Sequence, residues 1–202
     1  GEEKALTDNT PNNSSPRWSA DAERMYFVAN RSGSAQVWGM AADGSDARRV
    51  TDIEGGVEGY GVSPTGERIF YVKKVHAADR RSADIHKDMD KSKARIYDDL
   101  MARHWDYWDE GDYSHIFVAD LAADGLKNDT DIIGADAAWD APLAPYFDTA
   151  EIAWSPDGTK LAYTCKKLAG TEYAVSTDSD IYVYDTADGS TVNINKPVAE
   201  GR

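Results

Sequence analysis

The sequence predicts an all-β fold, an incomplete β-propeller of about three four-stranded blades with one inserted helix. Three observations carry this. The stretch Ile152-Ala153-Trp154-Ser155-Pro156-Asp157-Gly158-Thr159-Lys160-Leu161-Ala162-Tyr163-Thr164 reads as strand, tight turn and strand. The same pattern recurs at Gly61–Val72 and, without Pro and Gly in its turn, at Arg17–Val28. Ser19 and Ser63 are 44 residues apart, and Ser63 and Ser155 are 92 apart, one further period plus an insertion. A period of roughly 40–45 residues carrying four strands is the signature of a propeller blade.

Taken in order, Ala5-Leu6-Thr7-Asp8 aligns with Arg49-Val50-Thr51-Asp52 and is expected to be the last strand of a preceding blade, with a polar linker completing residues 1–15. The blade over 16–55 has strands near Arg17–Ser19, Arg24–Ala29, Gln36–Met40 and Arg48–Thr51, with Asp43-Gly44 as a hairpin turn. The next blade, with its connector, covers 56–149. Its strands are expected at Gly59–Ser63, Arg68–Lys73 and His115–Asp120, with a fourth after Asp124-Gly125. The last, 150–202, runs from Glu151 through Leu161–Thr164, Asp180–Asp185 and Thr191–Ile194. Both later blades are interrupted between their second and third strands, the first over 75–113 and the other over Lys167–Ser179. Insertions at one repeated position emerge on one face of a propeller, commonly the binding face.

The long insertion holds the predicted helix. From Ser92 to Trp108, apolar residues fall at 96/97, 100/101, 104/105 and 108, a spacing near four with Asp98, Asp99, Arg103 and Asp106 opposite. Ser92 is a candidate N-cap and Gly111 a candidate stop. Propellers close with about four to eight blades. Three blades leave open sheet edges, so the chain is expected to be a piece of a larger protein and to self-associate through those edges.

The chain has 202 residues, with 36 acidic against 22 basic and a formal charge of −14. No basic stripe suited to phosphates stands out, which argues against nucleic acid and an anionic membrane surface as partners. The excess of acid serves solubility or an acidic cavity that attracts cations and free amino termini. Cys165 reads as a packed strand residue. Nucleophile-elbow, phosphate-loop, dinucleotide and zinc-protease motifs are absent, so no catalytic residue, metal or cofactor is expected in this stretch. His76, His86, His104 and His115 are not at metal-ligand spacing. Asp84, Asp88 and Asp90 lack the glycine and terminal Glu of a calcium loop and read as solvated charge. Two binding candidates remain. Asp109 and Glu110, beside Trp105, Tyr107 and Trp108, combine carboxylates with aromatic walls, a chemistry suited to a substrate ammonium. Tyr146-Phe147, with Pro142 and Pro145, reads as a structural connector.

The Trp154–Gly158 turn and Ile181-Tyr182-Val183-Tyr184-Asp185 resemble the repeats of TolB-like and peptidase-associated propellers, related to the WD type. Ile96-Tyr97-Asp98-Asp99-Leu100-Met101, His104-Trp105-Asp106, His115–Asp120 and Thr171–Asp180 further resemble the N-terminal propeller of bacterial serine peptidases of the prolyl oligopeptidase family, of the dipeptidyl-peptidase and acylaminoacyl-peptidase kind. That resemblance implies a periplasmic or secreted parent whose C-terminal α/β-hydrolase domain carries the Ser-Asp-His triad. This stretch would then gate and bind peptide substrates, with Asp109, Glu110, Trp105 and Trp108 as contacts. Some members hold the substrate amino terminus with a Glu pair on a propeller insertion, and Asp109-Glu110 only loosely matches it. The alternative is a TolB-like protein-interaction propeller with no attached enzyme. A sugar-binding or lyase propeller is a third reading, without evident metal-ligand histidines.

Overall fold

The repeated turn is built by its side chains. In the computed structural model, which describes residues 3–7, 12–143 and 148–195, Ser155 Oγ donates to Asp157 Oδ1 at 2.6 Å and accepts from Lys160 N at 2.9 Å. Ser19 makes the equivalent bonds with Asp21 and Arg24 N, at 2.6 and 2.9 Å. Ser63 accepts from Arg68 N at 3.1 Å, with Thr65 replacing the aspartate. The fourth turn residue is left-handed in all three copies, with φ of 58° at Ala22, 76° at Gly66 and 68° at Gly158. Losing the glycine in the first copy therefore did not abolish the turn. Its Ser–Asp bonds hold Ala22 in a conformation that costs an L residue about 1 kcal/mol.

Each turn joins the first two strands of an antiparallel sheet. The first sheet is ordered β1 (Asn13–Trp18), β2 (Arg24–Ala29), β3 (Gln36–Ala41) and β4 (Arg48–Arg49). The second is β5 (Gly59–Val62), β6 (Arg68–His76), β9 (Asp112–Ala122) and β10 (Gly125–Asp131). The third is β11 (Ile152–Trp154), β12 (Lys160–Cys165), β13 (Asp180–Asp185) and β14 (Thr191–Asn193). Residues 3–7 form no strand; Leu6 instead packs on the cluster of Phe27, Ala29 and Met40. Asp8, Pro145, Tyr146 and Phe147, named above, lie outside the described residues. No helix among the described residues is long and apolar enough to cross a membrane.

The middle sheet is buried on both faces, and strand alternation sorts its side chains between them. Ile69 and Tyr71 of β6, with Phe117 and Ala119 of β9, pack with Val37 of the first sheet. Phe70, Val72, Ile116 and Val118 face the other way, onto Leu161, Tyr163, Cys165 and Tyr182 of the third. Full burial of each such side chain contributes about 1.5–3 kcal/mol. Cys165 is part of this core, and burial pushes its thiol up to about 12. The inner strands are tied as well: Trp154 Nε1 donates to Gly61 O at 3.1 Å, and Tyr60 OH to Ser15 O at 2.8 Å.

The helix expected over Ser92–Trp108 is not formed. Among the described residues, α-helix is confined to two short pieces, α1 (Ser82–Ile85) and α2 (Gly170–Val175), one in each insertion. Residues 92–108 instead run as turns into a small hairpin of β7 (Arg103–His104) and β8 (Tyr107–Trp108). Tyr97 stacks on Trp108 with ring centroids 6.2 Å apart. A helix would separate residues 11 positions apart by about 16 Å along its axis. Leu100 and Trp105 are more than half exposed, so the apolar stripe has no core to pack on, and packing is what stabilises most helices in proteins. Ser92 accepts from Ala94 N at 3.2 Å in a local turn, and Gly111 leads into β9.

Candidate functional site

The two insertions and the connector after β10 meet in one cleft of about 570 Å³, within the usual range for ligand sites. Leu100 to Glu110 supply one wall, Ala138, Asp140 and Pro142 a second, and Leu168 to Tyr173 a third. The floor is the end of the middle sheet, through Lys74, Tyr113 and Ser114, with Glu58 just before β5. The cleft thus lies where the interruptions of the repeat emerge.

Asp109, Glu110 and Trp108 all line this cleft, while Trp105 stands outside its lining at the hairpin tip, 64% exposed. Asp109 accepts from Arg80 Nε at 3.0 Å, from Tyr113 OH at 3.0 Å and from Gly111 N at 2.9 Å. Glu110 accepts from Arg95 Nε at 2.7 Å and from its Nη2. Two guanidinium groups lie over the Trp108 ring, Arg95 at 5.3 Å and Arg103 at 5.4 Å from its centroid. Burial pushes the Tyr113 hydroxyl up to about 12, with Asp109 adding to the rise against Arg80. The hydroxyl therefore remains a donor to Asp109 at neutral pH.

The lining is acidic on balance. Glu58, Asp109, Glu110, Asp112 and Asp140 face Lys74 and Arg80, five carboxylates against two fixed cations. Lys74 lies 3.9 Å from Glu58 and 3.5 Å from Asp140, and Ser114 bonds both acids, through Oγ at 2.7 Å and N at 2.8 Å. Tyr107, Trp108 and Tyr173 add aromatic surface. Such a cleft favours a cationic ligand with an apolar body.

The sequence reading missed Arg80, Tyr113, Glu58, Asp140 and Tyr173. Arg80, Tyr113 and Tyr173 lie in the two interruptions of the blade pattern, whereas Glu58 and Asp140 come from the connectors between sheets, where the sequence carries no such signal. His115, one of the four histidines, is fully buried behind the cleft. Its Nδ1 is 2.8 Å from Asp131 Oδ2 and its Nε2 2.8 Å from Ala137 O, which ties the connector wall to β9.

No family model matches the chain. It is 38% identical over 193 residues to a protein named dipeptidyl-peptidase 5 from Porphyromonas endodontalis, a match covering 96% of this chain and 28% of that protein. The chain therefore spans little more than a quarter of that relative. Among solved structures, acylaminoacyl peptidase of Pyrococcus horikoshii superposes with a TM-score of 0.56 at 15% identity, covering 90% of this chain and 24% of that one. A putative TolB from Agrobacterium tumefaciens gives 0.51 at 17% identity, covering 93% and 50%. These two likenesses are of fold.

Proposed function

We propose that this chain, a β-propeller segment of the dipeptidyl-peptidase 5 kind, gates and binds peptide substrates for a C-terminal α/β-hydrolase domain of the prolyl oligopeptidase type. The chemistry would be that of the parent: removal of short peptides from free amino termini by a serine nucleophile, in the periplasm or outside the cell. This stretch would contribute recognition. The supporting observation is the cleft itself, walled by both insertions, acidic on balance and lined with aromatic rings. In this reading Asp109 and Glu110 receive the peptide ammonium beside the face of Trp108, with Trp105 touching the chain further along. Arg80 and Arg95 hold the two carboxylates in fixed orientation. Glu58, Asp112 and Asp140 keep the local potential negative despite those arginines.

The test uses the full-length parent on dipeptide nitroanilides. A hydrogen bond to a charged group contributes about 1.5–3 kcal/mol. Asp109→Asn and Glu110→Gln should then raise KM roughly 10- to 100-fold, with the rate of serine labelling by a fluorophosphonate unchanged. Variants with wild-type KM would remove the ammonium site from this cleft. A parent that hydrolyses no peptide would favour the protein-interaction module.

A further inference from the structure

The insertion of the middle sheet leaves and returns through a narrow neck. His76 ends β6 and pairs in register with Asp112, which begins β9. Ala77 N and Ala78 N both donate to Gly111 O, at 2.9 and 3.3 Å. Around the His76 ring lie three carboxylates from three different parts of the neck. Asp112 Oδ1 is 2.8 Å from Nδ1, and Asp79 Oδ1 is 3.1 Å from Nε2. Asp84, on α1, brings a carboxylate oxygen to the same place, so that one atom each of His76, Asp79 and Asp84 lie within 4.8 Å of one another.

We propose that His76, Asp79 and Asp84 bind a zinc-like divalent cation that fastens the neck of the insertion. Two ligands of a tetrahedral zinc, each about 2.0–2.2 Å from the metal, are roughly 3.4 Å apart. The 3.1 Å between His76 Nε2 and Asp79 Oδ1 already approaches that separation. Asp112 occupies the position that orients a ligating imidazole, accepting from the ring nitrogen that does not bind the metal. One nitrogen and two oxygens leave an open position for water. Imidazole among the donors favours zinc over calcium or magnesium, which take oxygen. Arg81 Nε donates to Asp84 Oδ2 at 2.7 Å, a positive charge that competes with a cation for the same carboxylate. The ligands come from positions 76, 79 and 84 on a strand end, a loop and α1, so only the fold shows their convergence.

The chain, treated with EDTA and desalted, is titrated with zinc chloride by calorimetry, and with cobalt(II) by visible absorption. One equivalent should bind in the micromolar range, and cobalt should give the d–d spectrum of a site with a nitrogen ligand. His76→Ala and Asp79→Asn should abolish both signals. Asp112→Asn, which keeps all three ligands, should weaken binding about 10- to 100-fold, and Arg81→Gln should tighten it. Circular dichroism confirms that each variant is folded. Where His76→Ala is not, the Asp79→Asn and Asp112→Asn results decide. No zinc binding by the wild-type chain, or binding that Asp79→Asn and Asp112→Asn leave unchanged, would overturn the site and leave a set of ion pairs.

Discussion

Replacing His115 by Leu tests whether the wall of the cleft is held by one buried, doubly hydrogen-bonded histidine. The imidazole is fully buried, and both of its nitrogens face acceptors at 2.8 Å, the Asp131 carboxylate and the Ala137 carbonyl. Leucine fills much of the same space and donates to neither. Breaking a buried pair by removing one partner costs about 3–5 kcal/mol. Asp131 would keep bonds from Ile133 N at 2.9 Å and Gly134 N at 3.2 Å, which places the expected loss near the lower end, about 3 kcal/mol. That is a shift of roughly 100-fold in the unfolding equilibrium, read by urea titration with tryptophan fluorescence. The double variant His115→Leu/Asp131→Leu should lose less than the sum of the single ones, because no orphaned charge remains. Acid adds a second readout. Burial raises the Asp131 carboxyl, but the bonds from His115, Ile133 and Gly134 outweigh it and hold the group below its usual range. A depressed folded-state value stabilises above the unfolded value of about 4, and that stabilisation is lost as pH falls through the folded value. In His115→Leu the carboxyl should rise and the loss begin at higher pH. A His115→Leu chain within about 0.5 kcal/mol of wild type, an ordinary surface-sized effect, would refute the reasoning.

Two further outcomes are expected. Asp157, held down to about 2 by its bonds from Ser155 and Thr159, should titrate near that value by carbon-13 NMR. The turn should tighten the fold above about pH 4 and release it as pH drops toward 2; a midpoint near the ordinary value would mean the turn bonds do not persist in solution. Gly111→Ala combines a left-handed φ of 84° with a new Cβ only 1.6 Å from Ala78 O. It should loosen the neck, raise amide exchange at Ala77 and Ala78, and leave exchange in β12 and β13 as in wild type.

The blades were legible because their strands are organised by local chemistry that the repeat displays. Ser155, Asp157 and Gly158 specify a turn, and the runs on either side alternate between a buried face and a more exposed one. Even the degenerate copy at Ser19 and Asp21 kept enough of that chemistry to turn at Ala22. The insertion was not legible for the converse reason. Its apolar residues at 96, 97, 100, 101, 105 and 108 fit a helical period, yet spacing alone does not say what lies opposite the stripe. Tyr97 meets Trp108, and Trp108 meets Arg95 and Arg103. These are contacts among residues of the insertion itself, and they favour a folded-back loop. The cleft was half legible. Asp109, Glu110 and Trp108 are adjacent in sequence, whereas Arg80, Asp140 and Tyr173 reach it from separate walls. Only the stacking of the second and third sheets brings those together.

The neck has a consequence for how such a protein can change over generations. β6 and β9 pair without a break from Arg68↔Asp120 to His76↔Asp112, so the 35 residues between them add nothing to the ladder they interrupt. A hairpin that is complete at its base tolerates exchange of whatever is looped out beyond it, since closing a longer or shorter loop changes the entropy by only about 0.6 kcal/mol per doubling of length. Insertions of other lengths and chemistries can be traded at this point like heads on one handle. New ligand preferences are then open to the protein while the stacked sheets keep the sequence that folds them.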